Sequence, residues 1–481
     1  MKRIVTEMSK LNFGKMTYAV VVLSVTTAIS LHAQSFTTLH SFDGTDGGGP
    51  EAALVQATNG DLYGTTNAGA NGYGTVFKIT PAGTLTTVHS FCSQSGCTDG
   101  EFPTAGLVQG TTGDLYGTTS GTAFKITPNG TLTTLYNFCS QGGCTDDEEP
   151  LAGLVQAAKG DLYGTTHGGV VTGFGTVFKI TPIGTPTTLY SFCSGGTPCP
   201  DGAYPAGLVQ ATNGDFYGTT NGFGPTGTEG TVFKITPGGT LTTLYSFCAQ
   251  GFPCTDGEFP AAGLVKATNG DFYGTTYGDA NYLNYGTVFK ITPSGTLTTL
   301  YSFCAQFACA DGEFPAAALV QATDGNFYGT TSLGGTKGYG TIFKITPSGT
   351  LTTLYSFCSQ TGCTDGEIPY GGLIQDTNGD FYGTTEGGGA ANDGTVFSLS
   401  VGLGPFVATR PTSGDAGTAI KILGTNLTGA TSVTFNGTPA VFTVVRPSEI
   451  TTTVPTGATT GKVQVVTPGG TLSSNVSFRV P

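Results

Sequence analysis

The sequence predicts an all-β protein, a seven-bladed β-propeller with strand closure followed by an immunoglobulin-like β-sandwich, and three observations carry that prediction. First, the phrase G-D-[LF]-Y-G-T-T, or a one-residue variant of it, occurs seven times, with its tyrosine at Tyr63, Tyr116, Tyr163, Tyr217, Tyr273, Tyr328 and Tyr382. A period of 47 to 56 residues rich in Thr, Val, Phe and Gly is one supersecondary unit copied around or along an axis. Second, the two ends of the array complete each other. Residues 36–42 (FTTLHSF) form a fourth strand without its first three, and residues 372–400 form three strands without a fourth. A closed ring pairs the fragments and removes exposed strand edges, whereas a linear solenoid gains nothing from the split. Third, 78 glycines and 25 prolines in 481 residues, without the third-residue period of collagen, suit short strands and tight turns.

One unit shows how the elements follow. Residues 263–268 (GLVKAT) are a short apolar run, Asn269-Gly270 is a type I′ hairpin signal, and residues 271–276 (DFYGTT) are a second strand. After a variable loop, residues 286–292 (GTVFKIT) and 296–303 (TLTTLYSF) flank Pro293-Ser294-Gly295, a turn composition. Four antiparallel strands in about 52 residues make a propeller blade. With the first strand innermost, the Asn-Gly and Pro-x-Gly hairpins share one face. The variable loops and the links between blades share the other, and such loops are where a rigid scaffold carries binding groups.

The N-terminus reads differently. Lys2, Arg3, Lys10 and Lys15 precede an apolar run over residues 18–31, followed by His32, Ala33 and Gln34. This is the pattern of a secretory signal, residues 1–33, cleaved after Ala33. An uncleaved membrane anchor is the alternative, but the run falls short of the roughly 20 residues that span a bilayer. No second apolar span follows, so no membrane crossing is expected after cleavage.

Twelve cysteines agree with export. They fall into six close pairs at one point of the repeat: Cys92 with Cys97, Cys139 with Cys144, Cys193 with Cys199, Cys248 with Cys254, Cys304 with Cys309 and Cys358 with Cys363. Repetition of one local spacing makes the within-pair disulfide the simplest arrangement. A zinc site is the rival, yet it needs four ligands, and neighbouring pairs lie a repeat apart without attendant histidines. Residues 34–400 hold 28 acids against 9 bases, a net of minus 19. Such a surface repels phosphate backbones, which argues against nucleic acid or anionic lipid as partner.

Phrases such as YGTVFKITPSGTLTTLYSF and NGDFYGTT recur nearly verbatim over residues 36–400. These repeats resemble the GloVer tandem repeats of bacterial "choice-of-anchor" exported proteins, which implies an exported surface protein. That group often ends in a sorting or anchoring signal, and none stands out here. After Ser400 the repeat stops and residues 401–405 read as a linker. Residues 406–481 carry Pro411-Thr412-Ser413-Gly414, Gly424-Thr425-Asn426-Leu427, Val433-Thr434-Phe435-Asn436-Gly437 and Val466-Thr467-Pro468-Gly469-Gly470. This stretch resembles an IPT/TIG domain, an immunoglobulin-like sandwich, and its short alternating strands agree. Such modules space or dock other domains.

Groups that could perform chemistry are few. After the signal the only histidines are His40, His89 and His167, and the first two take the place of Tyr245 or Tyr301 in other fourth strands. No arginine occurs between Gln34 and Ser400, which excludes an arginine-clamped carboxylate built by the propeller itself. Carboxylates are abundant. The links bring Asp99, Glu101, Asp146, Asp201, Asp256, Glu258, Asp311, Glu313, Asp365 and Glu367 to equivalent places, with Asp43, Asp46 and Glu51 in the cysteine-free link. This ring could hold calcium, or a pair could serve a glycosidase as acid and nucleophile. Equally, Asp-Gly is a turn former repeated because the blade is repeated. The lysines of F-K-I-T read as outward solvating residues, and the repeated tyrosines as inter-sheet packing rather than a sugar-lined channel.

These readings point to an exported, non-catalytic binding or structural module at the bacterial cell surface. It would contact a glycan or a surface protein through the loop-bearing face, without a cofactor unless calcium binds. A polysaccharide-acting enzyme using upper-face carboxylates and a calcium-stabilised adhesin are the alternatives. Function is to be sought where the repeat is broken: unequal loops, His167, and the link without cysteines.

Overall fold

A computed structural model describes residues 34–481 except 70, 139–148, 158–159, 169–172, 197–198, 223–228, 250, 252–253 and 279–283. The signal-like segment, the expected pair of Cys139 and Cys144, the link acid Asp146 and parts of the two long loops at 221–230 and 277–286 lie outside the described residues.

Seven four-stranded antiparallel sheets form the propeller. Six are consecutive in sequence, the first running through Val55–Gln56, Leu62–Thr66, Thr75–Ile79 and Leu85–Ser90. The seventh takes Ile374–Gln375, Phe381–Thr385 and Thr395–Ser400 from the end of the array and its outer strand, Ser35–Ser41, from the start. Ser35 lies opposite Ser400 and Ser41 opposite Thr395, so the ring closes by strand exchange.

What holds the blades together is the repeated phrase. Its tyrosine stacks on the aromatic ring one blade on: Tyr163 on Phe216, Tyr217 on Phe272, Tyr273 on Phe327 and Tyr328 on Phe381, with centroids 4.0 to 4.2 Å apart. Where the next blade has leucine, Tyr382 packs with Leu62 across the closure. The first threonine of T-T donates its hydroxyl to a main-chain carbonyl of the following blade at all seven junctions. These bonds span 2.8 to 3.5 Å, ending with Thr384 to Ala52. The second threonine meets the first residue of strand three, hydroxyl to hydroxyl, at 2.8 to 2.9 Å in every blade. On the other face, glutamines of the inner strands accept from a threonine amide of the preceding blade at five junctions. Each bond is modest, about 1 kcal/mol net, but leaving one of these buried groups unpaired costs more.

The inner strand is shorter than the sequence suggests. In six blades it is two residues, such as Val265–Lys266, and carbonyls of the segment before it accept from the neighbouring blade. Blade four is the exception. Its segment lacks one residue, and Ala203–Gln210 pairs along its length with Phe216–Gly222 through a bulge.

The C-terminal region is a sandwich of two four-stranded sheets. Ile420, Ile422, Val433, Phe435, Ile450 and Val463 are among the residues of its core. The connecting segment is not a free tether, since Val401 and Leu403 pack on the core of blade seven. Among the described residues, no helix is long and apolar enough to cross a membrane.

Candidate functional site

The ring of acids in the links is drawn into the scaffold. Asp99, Asp311 and Asp365 are at most 1 % exposed. Each aspartate accepts from the preceding fourth strand: Asp201 from Tyr190 at 2.8 Å, Asp256 from Tyr245 at 2.8 Å, Asp311 from Tyr301 at 2.7 Å and Asp365 from Tyr355 at 2.7 Å. Backbone amides of the link complete the set, Cys193 and Cys248 in two blades and Ala305 and Ser359 in others. This explains the two odd histidines. His40 meets Asp46 at 2.7 Å and His89 meets Asp99 at 3.0 Å, so imidazole replaces phenol as the aspartate's partner. Burial pushes the Asp99 carboxyl up, but hydrogen bonds from Ser93 and His89 outweigh it and hold the group below its usual range. Burial and then the Asp201 carboxylate push the Tyr190 phenol up to about 12.

Disulfides close the same links at five of the six expected places: Cys92 to Cys97, Cys193 to Cys199, Cys248 to Cys254, Cys304 to Cys309 and Cys358 to Cys363. The sixth expected bridge, Cys139 to Cys144, falls outside the described residues, so it rests on the repeat spacing alone. Among the described residues, the groups close enough to share an ion are a cysteine pair with Glu101, Glu313 or Glu367. With the thiols oxidised, each keeps one carboxylate. Glu258 is buried at 4 % exposure.

The concave site lies on the ring axis. The segments that follow the recurrent proline of each link converge on a cavity of about 640 Å³ walled by alanine, glycine and leucine. That volume suits a small ligand or the end of a larger one. Small residues are required there because the segments nearly touch: a Cβ on Gly263 would lie 3.2 Å from Gly207 backbone. The residue before each proline holds a left-handed conformation, φ 52 to 60° at Phe102, Glu149, Tyr204, Phe259, Phe314 and Ile368, which turns the chain inward.

The rim of this cavity is where the blades stop being alike. The residue after T-T is Asn67, Ser120, His167, Asn221, Tyr277, Ser332 and Glu386 in turn, and the residue after the link proline is Glu51, Thr104, Leu151, Ala261, Ala316 or Tyr370. On one side His167 stacks on Tyr204, centroids 4.9 Å apart and planes at 20°. Burial lowers the pKa of His167, and Glu149 opposes the shift. Beside them, the Asn221 carbonyl oxygen is buried without a hydrogen-bond partner among the described residues. On the other side, Tyr370 is 39 % exposed. Burial and then Tyr277 push its phenol up to about 12, with Glu386 and Glu51 adding to the shift. Glu51 accepts from the Asn67 amide, and burial followed by the charge of Glu386 raises its pKa. Sequence inspection marks His167 but passes over Tyr204, Asn221 and Tyr370. The signal was partial: Tyr370 stands where the other blades have Glu51, Thr104, Leu151, Ala261 or Ala316, whereas Tyr204 shares its column with Phe102, Phe259 and Phe314, and Asn221 shares its own with Asn67.

The profile of the Gloeobacter/Verrucomicrobia repeat matches residues 21–143, 119–282 and 250–439, and that of the IPT/TIG domain matches residues 407–480. No curated protein matches by sequence. Among solved structures, a catalytically inactive virginiamycin B lyase from Staphylococcus aureus, with quinupristin, aligns at TM-score 0.53 and 16 % identity over 76 % of this chain and 99 % of the lyase. The extracellular domain of a one component system from B. thetaiotaomicron aligns at TM-score 0.50 and 13 % identity, over 93 % of this chain and 58 % of that one. PorZ, a surface component of the type-IX secretion system of Porphyromonas gingivalis, aligns at TM-score 0.48 and 14 % identity over 92 % of this chain and 60 % of PorZ. At these identities the likeness concerns fold alone. The repeat profile covers most of the sequence, and the chain belongs to the Gloeobacter/Verrucomicrobia repeat family.

Proposed function

We propose that this chain is an exported, non-catalytic surface module that binds a glycan at the rim of the axial cavity. The observation that carries the reading is the convergence there of His167, Tyr204, Asn221, Tyr370 and Glu51, which brings an imidazole, two phenols, an amide and a carboxylate to one cavity. Aromatic faces pack against the apolar faces of sugar rings, and the amide and carboxylate accept hydroxyl hydrogens. A buried acceptor such as the Asn221 oxygen favours a ligand that donates to it. The disulfides suit an oxidising exterior, and the link aspartates Asp311 and Asp365 take hydrogen bonds from Tyr301 and Tyr355 within the scaffold. Binding to a glycan array, lost in Tyr204→Ala and Asn221→Ala but kept in Lys78→Ala, is the expected result. Binding unchanged in both rim variants would remove the reading.

One observation favours an enzyme as the second reading. Glu51 stands close enough to Glu386 at the rim that the charge of Glu386 adds to burial in raising the Glu51 carboxyl, an arrangement that suits a glycosidase's proton donor beside a second carboxylate. Release of sugars from a polysaccharide by the native protein, abolished in Glu51→Gln, would establish it over the non-catalytic reading.

A further inference from the structure

We infer that the IPT/TIG domain lies across the lower opening of the propeller and makes the axial cavity single-ended, so that its ligand is recognised by a chain terminus and not along its length. The inference rests on the glycan reading for its ligand and on domain contacts for its geometry. The contacts fall on opposite sides of the ring. On blades seven, one and two, the Phe406 amide donates to the Thr377 carbonyl at 3.0 Å, and the hydroxyls of Thr377 and Thr425 meet at 3.1 Å. The Ser448 hydroxyl donates to the Thr58 carbonyl at 3.0 Å. Arg410 bridges two inner strands, donating to the carbonyls of Gln56 at 2.8 Å and Gln109 at 3.4 Å. Across the axis, on blade four, Arg479 donates to the Thr212 carbonyl, and its charge lowers the pKa of Lys266 on blade five, where burial is the larger cause.

In a seven-membered ring, blades four and five face blade one. A domain anchored to both sets must cross the axis. All of these contacts are on the hairpin side of the inner strands, whereas His167, Tyr204, Asn221 and Tyr370 line the cavity toward the other face, and no described residue of the IPT/TIG domain lines the cavity itself. The propeller has no arginine of its own, and the second domain brings the one that ties the inner strands together. A polymer cannot thread a passage whose far end is covered. What enters from the rim is a terminal residue or a short branch, and an extra unit on that terminus meets the floor.

The test has two arms on the full chain. Thr377→Cys/Thr425→Cys is expected to form a disulfide on oxidation. Thr212→Cys/Arg479→Cys is expected to be bridged by a short bis-maleimide, each product mapped by mass spectrometry. Failure of the blade-four pair alone would place the domain off the axis and overturn the cap. In the second arm, defined oligosaccharides printed through their reducing ends are compared with partners extended by one sugar at the free end. Binding should fall about tenfold or more on extension. Equal binding to terminal and internal forms would overturn end recognition. If both crosslinks form and no sugar binds, the glycan reading falls and end recognition with it, while the cap stands.

Discussion

At the upper end of the axial cavity the seven blades differ from one another, while at the lower end they repeat and a second domain lies over them. The upper end carries aromatic, amide and acidic side chains from different blades, set at three positions of the repeat: after T-T, before the link proline and after it. The lower end is bound by main-chain carbonyls that every blade offers, and it needs little from the propeller's side chains. The contrast teaches that a tandem repeat separates two tasks. Columns that stay constant maintain the ring, and columns that are free to vary collect at the rim, where substitution costs little stability.

The largest expected effect comes from breaking a constant column. Tyr328 is 1 % exposed and stacks on Phe381 at 4.2 Å. Tyr328→Ala should cost about 3–5 kcal/mol in urea-induced unfolding, because it opens a cavity between blades six and seven. Glycan binding measured well below the unfolding midpoint should stay as in the native protein. A loss under about 1 kcal/mol would mean that the inter-blade stack is not what holds the ring.

Asp376 sharpens the comparison because it breaks the lower pattern. The other six blades place alanine or glycine there, yet this carboxyl is 1 % exposed, and one of its oxygens has no hydrogen-bond partner among the described residues. Burial pushes its pKa up to about 6, with Asp380 a minor contributor and amide hydrogen bonds opposing. A group whose pKa is higher folded than unfolded binds its proton more tightly in the native state. Stability therefore falls as pH rises from about 4 to about 6, then levels off. Asp376→Ala, which restores the repeat, should raise stability by up to about 3 kcal/mol at pH 7 and leave it unchanged near pH 3. A pH-independent difference between the two proteins would show that the carboxyl does not titrate in this way.

How far these features were legible in the sequence depends on which column they occupy. Ring closure was readable because residues 36–42 and 372–400 are complementary fragments, and the structure pairs Ser35–Ser41 with Thr395–Ser400. The packing role of Tyr163 or Tyr273 was readable from alternation along a strand. The Tyr–Asp and His–Asp locks were not, since residues six to eleven apart meet only through the shape of the link. The rim was half legible: the unequal residues could be found by aligning repeats, but only three dimensions show that His167 and Tyr204, 37 positions apart, stack on one cavity. Arg410 was hidden entirely, because its role depends on where one domain rests against another.

The smallest stability effect should come from the rim itself. Tyr204→Ala removes a stack on His167 from a half-buried side chain, and stacking of this kind contributes about 0.5–1.5 kcal/mol. Asn221→Ala removes a carbonyl that has no partner among the described residues, so its loss should be neutral or slightly stabilising. The two substitutions together should lower the unfolding free energy by no more than about 1.5 kcal/mol, against about 3–5 for Tyr328→Ala alone. Their effect on ligand binding should run in the reverse order. Should the rim double variant instead unfold as readily as Tyr328→Ala, the rim would be part of the frame, and its departure from the repeat would record the fit of one blade to the next instead of the shape of a ligand.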